Sequence, residues 1–136
     1  MTAMACFRLQ EAVFAALAAA TSLSALVTGV YDEAPTGASY PYAAMGGTNL
    51  QPNDLKDRDG ASISFDIILW SKEPSQLEVK ELMAEVDRVL DKAALGVVGY
   101  SLVSLRLQSA AVTRQWNEDG SLYRGRLTYA ALVYAS

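Results

Sequence analysis

The chain has no histidine and a single cysteine, Cys6, among its 136 residues. The missing histidine removes the side chain that most often serves as a general base near neutral pH, and the commonest metal ligand with it. One cysteine can neither close an intramolecular disulfide nor build a thiolate metal cluster. Cys6 lies between Met4, Ala5 and Phe7 and is expected to act as a small buried hydrophobe. A nucleophilic role would need a base beside it, and no histidine supplies one.

Positive charge is also scarce. The chain has 11 Lys and Arg against 15 Asp and Glu, a formal charge of -4. Proteins that grip nucleic acid concentrate Lys and Arg to neutralise phosphates, so this balance argues against that class. It remains compatible with a surface that DNA passes without sticking. No long, strongly apolar run occurs. Ala12 to Tyr31 carries no charge, but it is dominated by alanine and interrupted by Thr21, Ser22, Ser24, Thr28 and Gly29. That hydrophobicity is low for a membrane span. Glu11 cancels Arg8 where a secretory signal would need a positive flank. A soluble chain that keeps its N-terminus, with no membrane partner, is the expectation; an exported protein with a cleaved N-terminus is the alternative.

Apolar residues make up 51% of the chain and charged residues 19%, within or close to globular ranges. A single domain of this length buries about 70% of the surface its unfolded chain exposes, without a metal or disulfide staple.

Leu9, Val13, Phe14 and Leu17 recur at helical spacing and predict an amphipathic helix over Phe7 to Ala20. Thr21 and Ser22 are placed to cap a short second helix through Leu26. Val30-Tyr31 reads as a brief strand and Tyr40 to Met45 as a strand ended by Gly46 and Gly47. Thr48 to Gly60 is the least ordered-looking segment, and loops this long are usually functional or mobile. Ser62 to Trp70 alternates, with Ile63, Phe65, Ile67 and Leu69 on one face. Ile68 and Trp70 make the far end of the other face apolar too. A helix is expected from Gln76 to about Ala94, with Ser75 and Glu78 at capping-box spacing and Gly96 as its stop. Its buried stripe is Leu82, Val86, Val89, Leu90 and Ala93. Strands over Tyr100 to Leu107, Ala111 to Trp116 and Leu122 to Tyr134 follow. Asp119-Gly120 marks a hairpin turn between the last two. The last strand puts Tyr123, Leu127, Tyr129, Ala131 and Val133 on one face, and Arg124, Arg126 and Thr128 on the other. The predicted fold class is α+β, a mostly antiparallel sheet with helices covering one face.

Catalytic chemistry finds little support. Gly46-Gly47 lacks the spacing and lysine of a phosphate loop. Asp54, Asp57 and Asp59 lack the alternating ligands, glycine and distal glutamate of a calcium loop. Asp32-Glu33 and Glu118-Asp119 fall in turns, which seldom give two carboxylates differing, partly buried environments. No catalytic, cofactor-binding or metal-binding residue is assigned. Tyr40, Tyr42, Trp70, Trp116, Tyr123 and Tyr129 could line a pocket of a small ligand-binding domain, although aromatics at strand spacing more often form core or interface.

The order of these pieces resembles the tail-completion family of long-tailed phages and gene transfer agents, whose members are tail terminators and tail-to-head joining proteins. The likeness spans nearly the whole chain. It rests on the N-terminal helix leading to Val30-Tyr31-Asp32-Glu33-Ala34-Pro35, on Gly37-Ala38-Ser39-Tyr40-Pro41-Tyr42, and on the strand ending Ile67-Ile68-Leu69-Trp70-Ser71 with the helix after it. The Trp116 to Gly120 turn before a Tyr-rich strand completes it. The resemblance implies a tail-terminator-like domain in a virion or phage-like particle, assembled in the host cytoplasm. It implies a ring, usually of six copies, that caps the tail tube, stops its elongation and meets the head connector; a head-side connector or stopper is the close alternative. Its partners would be itself, the tail tube protein and the connector, with DNA passing through, and an acidic lumen would keep that DNA from adhering. Asn49, Asp54, Lys56, Asp57, Arg58 and Asp59 then form either a solvated hairpin tip or, as the resemblance favours, an assembly loop that orders against a neighbouring subunit; Arg114, Arg124 and Arg126 form a basic stripe that is either a solvated face of alternating charge or a surface pairing with acidic residues of an adjacent subunit.

Overall fold

A computed structural model describes residues 2–117 and 120–136. Two helices, α1 (Met4–Ala19) and α2 (Thr21–Ser24), lead into β1 (Val30–Tyr31) and the long hairpin of β2 (Tyr42–Pro52) and β3 (Gly60–Ser71). Helix α3 (Leu77–Leu90) follows, and β4 (Tyr100–Asn117) and β5 (Gly120–Ala135) close the chain. The five strands lie in the order β1-β2-β3-β5-β4. Only the β1–β2 pair is parallel. This is the α+β architecture the sequence predicts.

The core forms where the alternating strand faces meet the helix stripes. Ala5, Leu9, Val13 and Leu17 of α1 and Val79, Leu82, Met83, Val86 and Leu90 of α3 are buried. They meet Ile63, Phe65, Ile67 and Leu69 of β3 and Leu127, Tyr129, Ala131 and Val133 of β5 in one cluster. Spacing of three and four residues in the helices and two in the strands produces these faces. The rings of Phe65 and Tyr129 stack at 5.6 Å. The opposite face of the sheet carries Asn49, Gln51, Ser62, Ser64, Asp66, Arg106, Arg124, Arg126 and Thr128, the residues between the buried ones. Ile68 is buried on that side too, with Ala44 and Arg126 as its cross-strand neighbours.

Several boundaries differ from the sequence reading. Gly46-Gly47 does not end β2 but forms a bulge, with Met45 opposite Ile67 and Thr48 opposite Phe65. A Cβ on Gly46 would lie 2.8 Å from the Cβ of Asp66, so glycine lets the bulge close there. Strand β2 therefore continues to Pro52, and the connection to β3 shrinks from 48–60 to 53–59. Residues 100–116 form one continuous strand rather than two, bulged near Val103 and Gln108. Helix α3 stops at Leu90, ahead of Gly96, because Lys92 takes a φ of 61° and its N–H bonds Leu105 O at 2.8 Å. At the other end of α3 the capping position is Gln76, and Ser75 Oγ accepts from Leu77 N at 3.2 Å, but the capping box does not close because Glu78 accepts from Ser71 Oγ at 2.7 Å. Helix α2 starts after Ala20 without a side-chain cap from Thr21 or Ser22. The hairpin turn expected at Asp119-Gly120 falls on Glu118 and Asp119, which lie outside the described residues.

Candidate assembly surfaces

The residues singled out in the sequence fall at two diagonally opposite corners of the sheet. Asp54, Lys56, Asp57, Arg58 and Asp59 occupy the β2–β3 turn, at the end where Gly60 pairs with Tyr134. The turn is tied down by its own backbone: Asn53 N bonds Gly60 O and Leu55 N bonds Arg58 O, each at 2.9 Å. The Asp54 carboxylate accepts from Gly60 N at 2.9 Å, and Asp59 O accepts from Ala135 N at 2.8 Å. Gly60 is buried, and a Cβ there would sit 2.4 Å from the Tyr134 ring and 2.5 Å from Asn53 O. The Arg58 guanidinium lies 5.9 Å from the centre of the same ring. All seven residues of 53–59 are nevertheless exposed. Asn49 is not part of this turn; it lies on β2, opposite Ser64.

The other corner is the distal half of the β4–β5 hairpin. Register separates the three arginines expected to form one stripe. Arg124 and Arg126 lie on the helix-free face, opposite Thr113 and Ala111, and Arg124 sits 5.9 Å from the Trp70 ring centre. Arg114 lies opposite Tyr123, on the face that the helices cover. Its guanidinium is 4.3 Å from the Trp116 ring centre, and Trp116 is 71% exposed. The reading of residues 111–116 as a strand detected the alternation. The bulge at Gln108, which sets the phase of that alternation against β5, left no sequence signal.

A small-ligand site would need a hollow or a gathering of aromatic side chains. An open depression of about 330 Å³ on the helix-free face is lined by Asn49, Gln51, Ser62, Ser64, Arg106 and Gln108 among others. A second, of about 260 Å³, lies between α1 and the end of β1, lined by Phe7, Gln10, Glu11, Phe14 and Asp32. Sequence reasoning missed this one because α1 and β1 meet only through the tertiary fold. The aromatic residues do not gather round one pocket. Tyr129 is core, Trp116 is exposed on the sheet margin, and Tyr31, Tyr40 and Tyr42 form a separate cluster with ring centres 5.3 to 5.8 Å apart. Burial first, then the neighbouring Tyr40 and Tyr31, raise the Tyr42 phenol above its ordinary pKa. Burial likewise raises the thiol of Cys6, a half-buried residue on the core side of α1. Among the described residues, no group of three or more His, Cys, Asp or Glu is placed to hold a metal ion. Nor is any helix among them long and apolar enough to cross a membrane.

No curated protein matches the chain. A solved chain from the virion of a native gene transfer agent particle superimposes with a TM-score of 0.84 at 28% identity, covering 96% of this chain and 98% of that one. The family described as "Tail completion protein gp17" matches residues 11–134. The chain therefore belongs to the tail completion protein gp17 family and is a structural subunit of the tail of a phage-like particle.

Proposed function

We propose that the chain is the tail terminator: copies close into a ring, six by family resemblance, on the last ring of the tail tube, stop its growth and present a new face to the head connector. The supporting observation is the near-complete overlap with a gene transfer agent virion chain, over 96% and 98% of the two lengths. The shape suits the task. A rigid five-stranded sheet carries the short exposed turn 53–59 at one end and the long β4–β5 hairpin at the other. One end can engage the tube while the other meets the connector, and the turn at 53–59 loses little ordering entropy because its backbone is already hydrogen-bonded. The turn at 53–59 is the proposed contact on its end, through Asp54, Lys56, Asp57, Arg58 and Asp59.

The lumen is a passage for DNA rather than a binding site. The helix-free face carries Arg106, Arg124 and Arg126 with Asp66. Acidic residues gather instead on α3, at Asp32-Glu33 and in the 53–59 turn. An acidic lumen would therefore be lined by helix and turn surfaces.

Particles made without the chain provide the test by electron microscopy. Abnormally long tails are the expected result. Tails of normal length detached from filled heads would replace this reading with a head-side connector.

A further inference from the structure

The two margins of the sheet are built differently. At one, β1 is two residues long, Gly46-Gly47 bulges β2, and Pro41 and Pro52 stand at the ends of β2. A short edge strand, a bulge and proline are devices that blunt a sheet edge against pairing. At the other margin, β4 runs for 18 residues. Its middle is covered: Lys92 N donates to Leu105 O at 2.8 Å, and Leu107 N donates to Asp91 Oδ1 at 2.9 Å. From Ser109 onward, β5 is its only backbone partner among the described residues. The stretch Ser109 to Trp116 has no proline, no lysine and no bulge, and it is exposed throughout except at Val112. An uncovered edge of this kind is a template for pairing.

The open stretch complements itself. Its first half, Ser109-Ala110-Ala111-Val112, is small, and its second half, Thr113-Arg114-Gln115-Trp116, is larger. Ala110, Val112, Arg114 and Trp116 pair with Leu127, Gly125, Tyr123 and Ser121 and share the helix-covered face; Ala111, Thr113 and Gln115 share the other. An antiparallel partner sets residues of one face opposite residues of the same face. Thr113 is the centre of Ser109–Asn117. A second β4 centred there puts Trp116 opposite Ala110, Arg114 opposite Val112 and Gln115 opposite Ala111, so large side chains of each copy lie over small ones of the other. Centring on Arg114 would set two arginines directly opposite, which is destabilising. Centred on Thr113, each guanidinium is directed away from the axis, toward its own Trp116 ring at 4.3 Å. The covered stretch fits too, because Leu107 of the second copy then stands beyond Asn117, where residues 91–92 meet no facing strand.

We propose that free copies of the chain pair edge to edge, β4 against β4, antiparallel about a two-fold axis at Thr113, so that the sheet runs on from one copy into the other. The outward backbone groups of Ser109 to Asn117 supply the hydrogen bonds. Trp116 on Ala110 is the apolar anchor at each end of the pair, tryptophan being among the residue types that most often dominate interfaces. A two-fold contact uses the same patch on both copies and closes with two. It is therefore separate from the contacts of a ring, and it stands or falls independently of the terminator reading.

Disulfide cross-linking of the full chain reads the register. In a Cys6→Ala background, Thr113→Cys sets two thiols opposite each other, with Cα atoms about 4.5–5.5 Å apart, within disulfide reach. Gln115→Cys sets them about four residues, or about 13 Å, apart along the strands, beyond that reach. Mild oxidation is expected to convert most of the Thr113→Cys chain to a covalent dimer and little of the Gln115→Cys chain. No dimer from Thr113→Cys, or equal yields from the two, would overturn the pairing. Sedimentation equilibrium of the unmodified chain should show a monomer–dimer step, which Trp116→Ala weakens about tenfold, with urea midpoints confirming that the variants are folded. An unmodified chain that stays monomeric at every concentration would sink the proposal, and so would Trp116→Ala copies that associate as tightly. Tail lengths report separately: normal-length tails in particles without the chain would remove the terminator reading and leave the cross-linking result to judge the pair.

Discussion

The Tyr129 hydroxyl donates to Asp87 Oδ1 at 3.0 Å, fastening the middle of β5 to α3 across the core. Burial, then the hydrogen bond and charge of Asp87, with Asp91 beyond it, hold the phenol far above its ordinary pKa of 10.0. Folding thus keeps the neutral form. The associated stability is complete below the unfolded phenol's pKa and declines as pH rises past it. Tyr129→Phe is expected to cost about 1–2 kcal/mol at neutral pH and to flatten the alkaline decline. Urea melts from pH 7 to 11 check both effects. An unchanged alkaline slope would remove Tyr129 as its source.

Acid acts through a different pair. Glu85 accepts from Arg88 and from Ser22 Oγ, the latter at 2.8 Å, and so joins α2 to α3. The Arg88 hydrogen bond first, and the Ser22 bond next, lower its pKa below the ordinary 4.5. Stability from this group is present above the unfolded value and is lost as pH falls through the folded one. Glu85→Gln should make the melting temperature less sensitive to pH between 5 and 3, within about that range for a carboxylate. The contrast with the unmodified chain should narrow in high salt. Equal acid slopes for the two chains would refute the assignment.

Glycine positions separate cleanly. Gly60→Ala forces a Cβ into the Tyr134 ring and Asn53 O and is expected to destabilise by about 1–3 kcal/mol. At Gly47 no atom lies within 4 Å of an added Cβ. Gly47→Ala should be neutral or stabilise by about 0.4–1 kcal/mol through the unfolded chain. Denaturant midpoints of the two variants give the comparison, and similar midpoints would count against the packing described around Gly60.

Large apolar residues are not equivalent either. Leu69 is fully buried on β3, whereas Leu77 is 78% and Trp116 71% exposed. Leu69→Ala should cost about 2–5 kcal/mol, while Leu77→Ala and Trp116→Ala should stay within about 0.5 kcal/mol of the unmodified chain. A marked thermal destabilisation by Trp116→Ala would show that the indole supports its own chain.

Much of the fold was legible because burial leaves a period. Leu9, Val13 and Leu17 recur at helical spacing, and Ile63, Phe65, Ile67 and Leu69 at strand spacing; all seven are buried in the structure. Ends of elements were less legible. Gly46-Gly47 and Gly96 look like stops, but β2 continues because Leu50 finds Ile63 opposite it, and α3 stops early because Lys92 bonds β4. A glycine only permits a break. Whether the chain uses it depends on partners far away in sequence.

The assembly surfaces show the same division. The sequence by itself determined the α+β class, the residues facing the core, and the separation of an early acidic span from later arginines, since these depend on local order and residue type. Only the tertiary structure decided that β5 would lie between β3 and β4, that β1 and β4 would become opposite margins, and that Arg114 would part from Arg124 and Arg126. Strand partners and bulge phase are set by backbone hydrogen bonds between distant segments, and residue type encodes those pairings only weakly.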